Sequence, residues 1–433
     1  MKKRLLSYLL VFIILAASTG VNSKAEGNTL NLKSEAIVLL EETTGKIIYD
    51  KNAKAKMYPA STTKVLTALL LIENIKPDEP IIVGREINGV PLDASKAGHK
   101  IGDKLTLKQL LMALMLPSGN DSAYVAAMAV AKKTSNNPDL DATTGLAQFS
   151  QLMNEKAKAI GAENSHFVNS SGYHEDGHYS TAYDIALITR EAMKSELFRE
   201  VVKTPSFDME FGAEPERNTT WRNRNLLIDA RYSSSYYPYA TGVKTGNTDQ
   251  AGECLVSTAT KDGMKLVAVV LKSPQDLRFM ESKALFEYGF VKYALYTFSK
   301  SGEVIEKLPI PNATKKGPQE LEVVAKEERT ELLFKNQVEK IEKKIEWSTT
   351  PLKAPIEAGH TVGKLTYTLE GEVLGEVTLL AKHSVSKRTI FEFLASDAAI
   401  PYWGAILGVI TLVLGIMYLM KTRKNRRRFK RRF

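Results

Sequence analysis

The run from Ala398 to Met420 carries no charged residue and is long enough to cross a bilayer, so whatever precedes it must fold on one side of a membrane. Tyr402 and Trp403 stand at one edge and Tyr418 at the other, where amphipathic rings settle at headgroup level. Nine positive residues follow with no acid among them: Lys421, Arg423, Lys424, Arg426, Arg427, Arg428, Lys430, Arg431 and Arg432. Basic residues stay on the cytoplasmic side, so 421–433 is expected to be a cytoplasmic tail and everything from Glu26 to about Asp397 to lie outside. Lys2 to Arg4, the apolar run Leu5 to Ala17, and small and polar residues up to Ser23-Lys24-Ala25 have the order of a secretory signal peptide, expected over 1–25. An uncleaved N-terminal anchor is the alternative, although the apolar run is short for a span.

The net charge of +10 looks like a nucleic-acid signal until it is located. The two ends hold three and nine of the positive residues and no acids, which leaves −2 for the interior. A near-neutral body has no electrostatic reason to bind nucleic acid, and a basic tail directly after a hydrophobic span reads as membrane anchoring rather than as a nucleic-acid arm. The single cysteine, Cys254, cannot form an internal disulfide and is expected to be packed in a strand.

Ile37-Val38-Leu39-Leu40 and Lys46-Ile47-Ile48-Tyr49 are β-rich runs separated by turn residues, a hairpin. The apolar run Val65 to Ile72 predicts a helix. Thr106 to Gln109 has capping-box form ahead of a helix over Leu110 to Leu116, which Pro117 stops. Helices are predicted over Asp121 to Lys133 and Leu146 to Ile160, and over Ile185 to Ser195 after a capping pattern at Thr181. Strands return at Tyr239 to Lys244, Glu253 to Thr260 and Lys265 to Lys272, with Asp262-Gly263 as a tight turn, and a helix from Asp276 to about Tyr293 ends the unit. Strands first and last around helices predict an antiparallel sheet with helices on its faces, the first strands joining the late ones. The expected divisions are a larger domain over 26–296, a small all-β domain over 297–386, a linker over 387–397, a transmembrane helix over 398–420 and the tail. Ile390, Phe391, Phe393 and Leu394 suggest that the linker lies in the membrane surface.

Three short motifs bear on chemistry. Ser61-Thr62-Thr63-Lys64 places a hydroxyl and an amine one helical turn apart, a nucleophile with its base attached, although alone it also fits a helix that begins with a serine cap. Ser118-Gly119-Asn120 places a second hydroxyl and an amide on a loop, or is an ordinary polar turn. Lys244-Thr245-Gly246 on a strand offers a cation and a hydroxyl to a carboxylate, or is an exposed strand end. Their ordered combination is hard to obtain by accident. His174, Glu175, Asp176 and His178 cluster near two glycines, but no further spaced ligand is evident. A polar loop at the site edge is expected there, with no metal and no cofactor.

The ordered triplet resembles that of the serine β-lactamases and penicillin-binding proteins. Tyr58-Pro59-Ala60, Pro117 to Asp121, Asn223-Arg224-Asn225-Leu226-Leu227, and Lys244 to Thr248 with Ala251-Gly252 extend the likeness over about Leu32 to Tyr293. More narrowly, the chain resembles low-molecular-mass penicillin-binding proteins, the serine D-alanyl-D-alanine carboxypeptidases. That resemblance implies an α+β, β-lactamase/transpeptidase-like domain with a helical subdomain, followed by the small β domain and the membrane anchor. It implies that Ser61 is acylated by a peptidoglycan stem peptide ending in D-alanyl-D-alanine, and likewise by β-lactams. Lys64 would be general base, Ser118 and Asn120 proton-transfer and positioning groups, Lys244 and Thr245 the receivers of the terminal carboxylate with Arg224 near it, and Gly246 the residue that lets a backbone approach closely. The backbone N–H groups of Ser61 and Asn247 would form the oxyanion hole. Position 247 departs from the histidine of some relatives, which bears on deacylation rate more than on reaction type. No Glu-x-x-Leu-Asn lies between Asn120 and Lys244, which weighs against a class A β-lactamase. A transpeptidase differs only in its acceptor, and a catalytically silent wall-peptide scaffold is disfavoured by the complete motif set.

Overall fold

Strand β1 (Ala36–Glu41) is buried along its whole length, and its alternation divides the larger domain into two cores. The computed structural model describes residues 30–211, 214–395 and 399–429; the expected signal peptide lies outside them, as do Asp397, Ala398 and residues 430–433. Ala36, Val38 and Leu40 point into one core and Ile37 and Leu39 into the other, the period-2 consequence of a pleated strand. β1 pairs with β2 (Ile47–Lys51) in the expected hairpin.

The chain then enters the helical face. A 3₁₀ turn over Ala60–Thr63 runs into α1 (Lys64–Asn74), whose residues from Lys64 to Leu71 are all buried. A helix apolar on every side belongs in the middle of a core. Two-residue strands β3 (Ile81–Ile82) and β4 (Lys104–Leu105) precede α2 (Leu107–Met115). Thr106 caps α2 with the expected reciprocal bonds: its Oγ1 accepts the Gln109 N–H at 3.2 Å, and its own N–H donates to Gln109 Oε1 at 2.9 Å. Pro117 separates α2 from α3 (Asn120–Ser135). Asn120 was expected on a loop and is the first residue of α3; Leu116 to Gly119 form the connection. Asp121 explains the early start: its carboxylate accepts the N–H groups of Ala97, Gly98 and Ser122 at 2.8–2.9 Å and ties the helix start to the loop beneath it.

α4 (Ala142–Ala159), α5 (Ala182–Ala192, capped by Thr181) and α6 (Glu196–Lys203) complete this face. A small hairpin of β5 (Ser206–Met209) and β6 (Thr219–Arg222) then leads back to the sheet. β7 (Ala240–Thr248), β8 (Gly252–Lys261) and β9 (Met264–Ser273) finish an antiparallel sheet in the order β2-β1-β9-β8-β7, so the first strands join the last as expected. Lys261 faces Met264 across the Asp262-Gly263 turn. α7 (Leu277–Lys292) covers the other face with Phe279, Leu285, Phe286 and Phe290. Each such side chain buried from water contributes about 1.5–3 kcal/mol.

α7 passes directly into β10 (Tyr293–Ser299), which starts ahead of the expected 297 because Tyr293 and Leu295 still pack on the α7 core. β10 pairs with β13 (Arg329–Phe334). β11 (Val304–Pro309), β12 (Glu320–Ala325), β14 (Ile341–Trp347), β15 (Thr361–Leu369) and β16 (Glu372–Ala381) form a second sheet in the order β11-β12-β16-β15-β14. Its core centres on Tyr367, stacked 4.3 Å from Phe298 and donating to the Phe298 carbonyl at 2.7 Å. α8 (Ile390–Leu394) follows, then α9 (Ile400–Phe429), which contains an apolar span over Tyr402–Lys424 of mean hydropathy 2.1 and continues into the basic tail.

Candidate active site

Ser61 sits on the 3₁₀ turn, which two close backbone approaches hold in place. A Cβ on Gly246 of β7 would lie 3.0 Å from the Pro59 carbonyl and 3.1 Å from the Ser61 nitrogen; a Cβ on Gly172 would lie 1.8 Å from the Ala60 carbonyl. Glycine at both positions lets strand and loop clamp the nucleophile's backbone from two sides. Lys64, one turn on, is fully buried. Its Nζ lies 2.9 Å from Ser61 Oγ, 2.5 Å from Asn120 Oδ1 and 2.7 Å from the Ser171 carbonyl oxygen.

Burial lowers the Lys64 pKa to about 7, the Arg224 guanidinium adds to the shift, and Asp121 opposes it. A neutral amine has two hydrogens and one lone pair. The Asn120 and Ser171 oxygens accept only, so they take the two hydrogens and leave the lone pair facing the Ser61 hydroxyl. Such an amine is able to accept a proton from the hydroxyl beside it.

The loop that carries Ser171 is bound to α1 at further points. Thr67 Oγ1 donates to the Ser170 carbonyl at 2.6 Å, and the Thr63 hydroxyl meets His178 Nε2 at 2.9 Å. His178 Nδ1 accepts the Val168 N–H at 3.3 Å, which puts the ring proton on Nε2 facing Thr63. Burial pushes the His178 pKa down to about 3, so the ring is neutral. His174, the other histidine of the cluster, lies at the mouth of the cleft with its ring 4.7 Å from Tyr58.

Lys244 is buried on β7 with its Nζ 2.9 Å from the Thr245 carbonyl. Burial first, then Lys64, Arg224 and Arg278, hold its pKa well below the usual lysine range. No carboxylate bonds to it among the described residues. With no carboxylate partner and with Arg224 and Arg278 near it, the Lys244 amine would be driven back toward its charged form by an anion entering beside it. Ser61, Asn120, Arg224 and Asn247 line one cleft of about 640 Å³. Thr245 is buried beside it on the same strand.

Ser118 is placed differently from the other residues. It is buried with φ +66° on the turn before α3, its carbonyl accepts from Ser95 Oγ at 2.7 Å, and its hydroxyl makes no hydrogen bond to Lys64. Two contributors left no recognisable signal in the sequence. Ser171 acts through a backbone carbonyl, which any residue carries. Arg278, at the start of α7, donates to the Gly246 carbonyl at 3.3 Å and lies 3.5 Å from Glu253, far in sequence from every motif. Cys254 is fully buried, and burial pushes its thiol up to about 11.

Residues 22–275 match the D-alanyl-D-alanine carboxypeptidase family, and residues 293–387 match the penicillin-binding protein 5 C-terminal domain. The chain is 32% identical to D-alanyl-D-alanine carboxypeptidase DacF of Bacillus subtilis, over 90% of this chain and 97% of that one. It is 26% identical to DacC of Escherichia coli over 88% and 91% of the two chains. Penicillin binding protein 5 from Haemophilus influenzae has the same fold, with a TM-score of 0.64 at 23% identity, over 84% of this chain and all of that one. A mutant of the Streptomyces K15 DD-transpeptidase aligns at 30% identity and a TM-score of 0.55, over 60% of this chain and 99% of that one. This chain belongs to the D-alanyl-D-alanine carboxypeptidase family of penicillin-binding proteins.

Proposed function

We propose that the protein is a serine carboxypeptidase that removes the terminal D-alanine from peptidoglycan stem pentapeptides through an acyl-enzyme on Ser61. Neutral Lys64 takes the Ser61 proton as Oγ attacks the carbonyl carbon of the penultimate D-alanine. The developing oxyanion is received by the N–H groups of Ser61 and Asn247, and preorganised donors of this kind each lower the barrier by about 3–4 kcal/mol. Lys64, now protonated, returns its proton to the leaving amine of D-alanine, and the Ser118 hydroxyl, not bonded to Lys64 in the free protein, would relay it once substrate draws the two together. The terminal carboxylate rests against Lys244, Thr245 and Arg224, with Gly246 allowing the close approach and Arg278 adding positive charge behind the strand. Water, activated by the same amine, then releases the shortened peptide.

The observation that carries this reading is a buried amine 2.9 Å from Ser61 Oγ whose two other neighbours, the Asn120 and Ser171 oxygens at 2.5 and 2.7 Å, can only accept. A β-lactam presents its acyl carbon and carboxylate in the same relation and acylates Ser61. Peptidoglycan peptide and β-lactams are thus the proposed ligands. The apolar span and basic tail support a single-pass anchor with the catalytic domain outside the cytoplasmic membrane. The β domain would act as a spacer that lifts the site toward the wall. Transfer to an amine acceptor is the second reading, favoured by the likeness to a DD-transpeptidase.

D-Alanine released from a pentapeptide by the full-length protein tests the proposal, with an amino-acid acceptor added in a parallel reaction. Stoichiometric D-alanine with unchanged yield of tetrapeptide is expected; diversion of most product to the acceptor adduct would replace hydrolysis by transpeptidation. No release and no Ser61-dependent penicillin labelling would leave the scaffold reading.

A further inference from the structure

We propose that the base of the β domain is a seat for the anionic phospholipid headgroups of the membrane that α9 crosses. Two segments far apart in sequence are laced together there. Ala313 bridges to Lys387, the Thr314 N–H donates to the Ser386 carbonyl at 2.9 Å, and the Arg388 N–H donates to the Asn312 carbonyl at 2.7 Å. This pairing gathers Lys315, Lys316, Lys387 and Arg388 on one end of the domain, the three lysines exposed. Glu392 is the one acid within 312–317 and 386–394. Its carboxylate is already engaged, accepting from Thr314 Oγ1 at 2.8 Å and from the Thr389 N–H at 2.9 Å.

The same end carries exposed carbon and the start of the span. Ile390 is 72% exposed and Phe391 82% exposed on α8. Trp403 Nε1 donates to the Leu394 carbonyl at 3.0 Å, and the Phe393 and Tyr402 rings lie 5.9 Å apart, which ties α8 to the first turn of α9. Tyr402 and Trp403 belong at headgroup depth. Two bare apolar side chains and a ring of cations at that depth match a surface with acyl chains below and phosphates above. The seat would set the tilt of the β domain, and with it the catalytic domain, since β10 follows α7 without a linker and Lys335 Nζ holds the Phe290 carbonyl at 2.7 Å.

The inference rests on α9 spanning a bilayer and is independent of the catalytic reading. Each basic residue near an anionic surface improves partitioning about fivefold, so three lysines amount to roughly a hundredfold in the docked state. The test is amide hydrogen exchange on the full-length protein in nanodiscs of phosphatidylcholine alone or mixed with phosphatidylglycerol. Exchange over 313–317 and 386–391 is expected to slow at least tenfold in the anionic discs. It should recover in about 0.5 M salt, which screens exposed charges, and in the triple variant Lys315→Gln, Lys316→Gln, Lys387→Gln. Unchanged protection of β15 and β16 shows that the variant is folded; if it is not, the salt arm alone decides. Equal exchange in the two lipids, or slowing confined to 390–391 irrespective of lipid charge, overturns the proposal. Protection of the span in both discs checks the premise separately.

Discussion

The two faces of the central sheet are built on opposite terms. Beneath α7, the core is mostly carbon: Ile37, Leu39, Leu255, Leu266, Val270 and the stacked rings of Tyr237, Phe286 and Phe290, with Glu281 as a buried acid held by Ser34 and the Lys33 N–H. On the helical face the same strands meet α1 and α5, and among the carbon lie Lys64, Lys244, Asn120, Asp121 and His178, all buried. Burying polar and charged groups is unfavourable unless they are bonded, and Lys244 has only a neighbouring carbonyl. One face supplies stability, and the other spends part of it to hold reactive groups in protonation states that water would not allow.

If that contrast holds, substitutions on the two faces separate activity from stability. The largest effect is expected for Lys64→Met, which removes the base: D-alanine release should fall about 10²–10⁴-fold. Its unfolding free energy should stay within about 1–2 kcal/mol of the parent, because the cost of burying a polar amine disappears with the lost bonds. Phe286→Ala, by contrast, should cost about 3–5 kcal/mol in denaturant titration, while the rate per folded molecule stays unchanged. A stability loss in the first or a rate loss in the second would break the comparison.

Gly172→Ala lies between these extremes, since its Cβ would fall 1.8 Å from the Ala60 carbonyl and the nucleophile's turn must move. A displacement of about an ångström is enough for roughly a 10²-fold loss in acylation, measurable by penicillin labelling. The last effect concerns His178 and shows only below neutral pH. The folded chain holds it neutral with a pKa of about 3, while the unfolded chain takes up a proton near the ordinary 6.5. The unfolded state therefore binds more protons in that window, and stability is lost as pH falls from about 6.5 toward 3. His178→Gln should show a shallower decline over this range in thermal melts; an identical slope would assign the acid sensitivity elsewhere.

Much of this architecture is legible in the residues themselves. β1, α2 with its capping box, the β8–β9 hairpin and the apolar span are each signalled by local patterns, because periodicity and turn chemistry act within a few positions. The three motifs are visible in the sequence because the chemistry proposed for them rests mainly on side chains. What stays hidden acts through the backbone or at long range. The Ser171 carbonyl has no side-chain signature, Arg278 reaches β7 from a different element, and the start of α3 at Asn120 is tied through Asp121 to a loop more than twenty residues away. α6 and the β5–β6 hairpin are short and draw their definition from packing against the larger elements.

The account rests on a lysine that is neutral at ordinary pH because it is buried. Measuring the rate at which a fluorescent penicillin acylates Ser61 of the full-length protein, across pH, tests this most directly. The rate should rise with pH through an inflection near 7, as Lys64 loses its proton, and then level off. A rate that is flat through this region, or one that climbs only toward the ordinary lysine range near 10.5, would show that Lys64 is not the base.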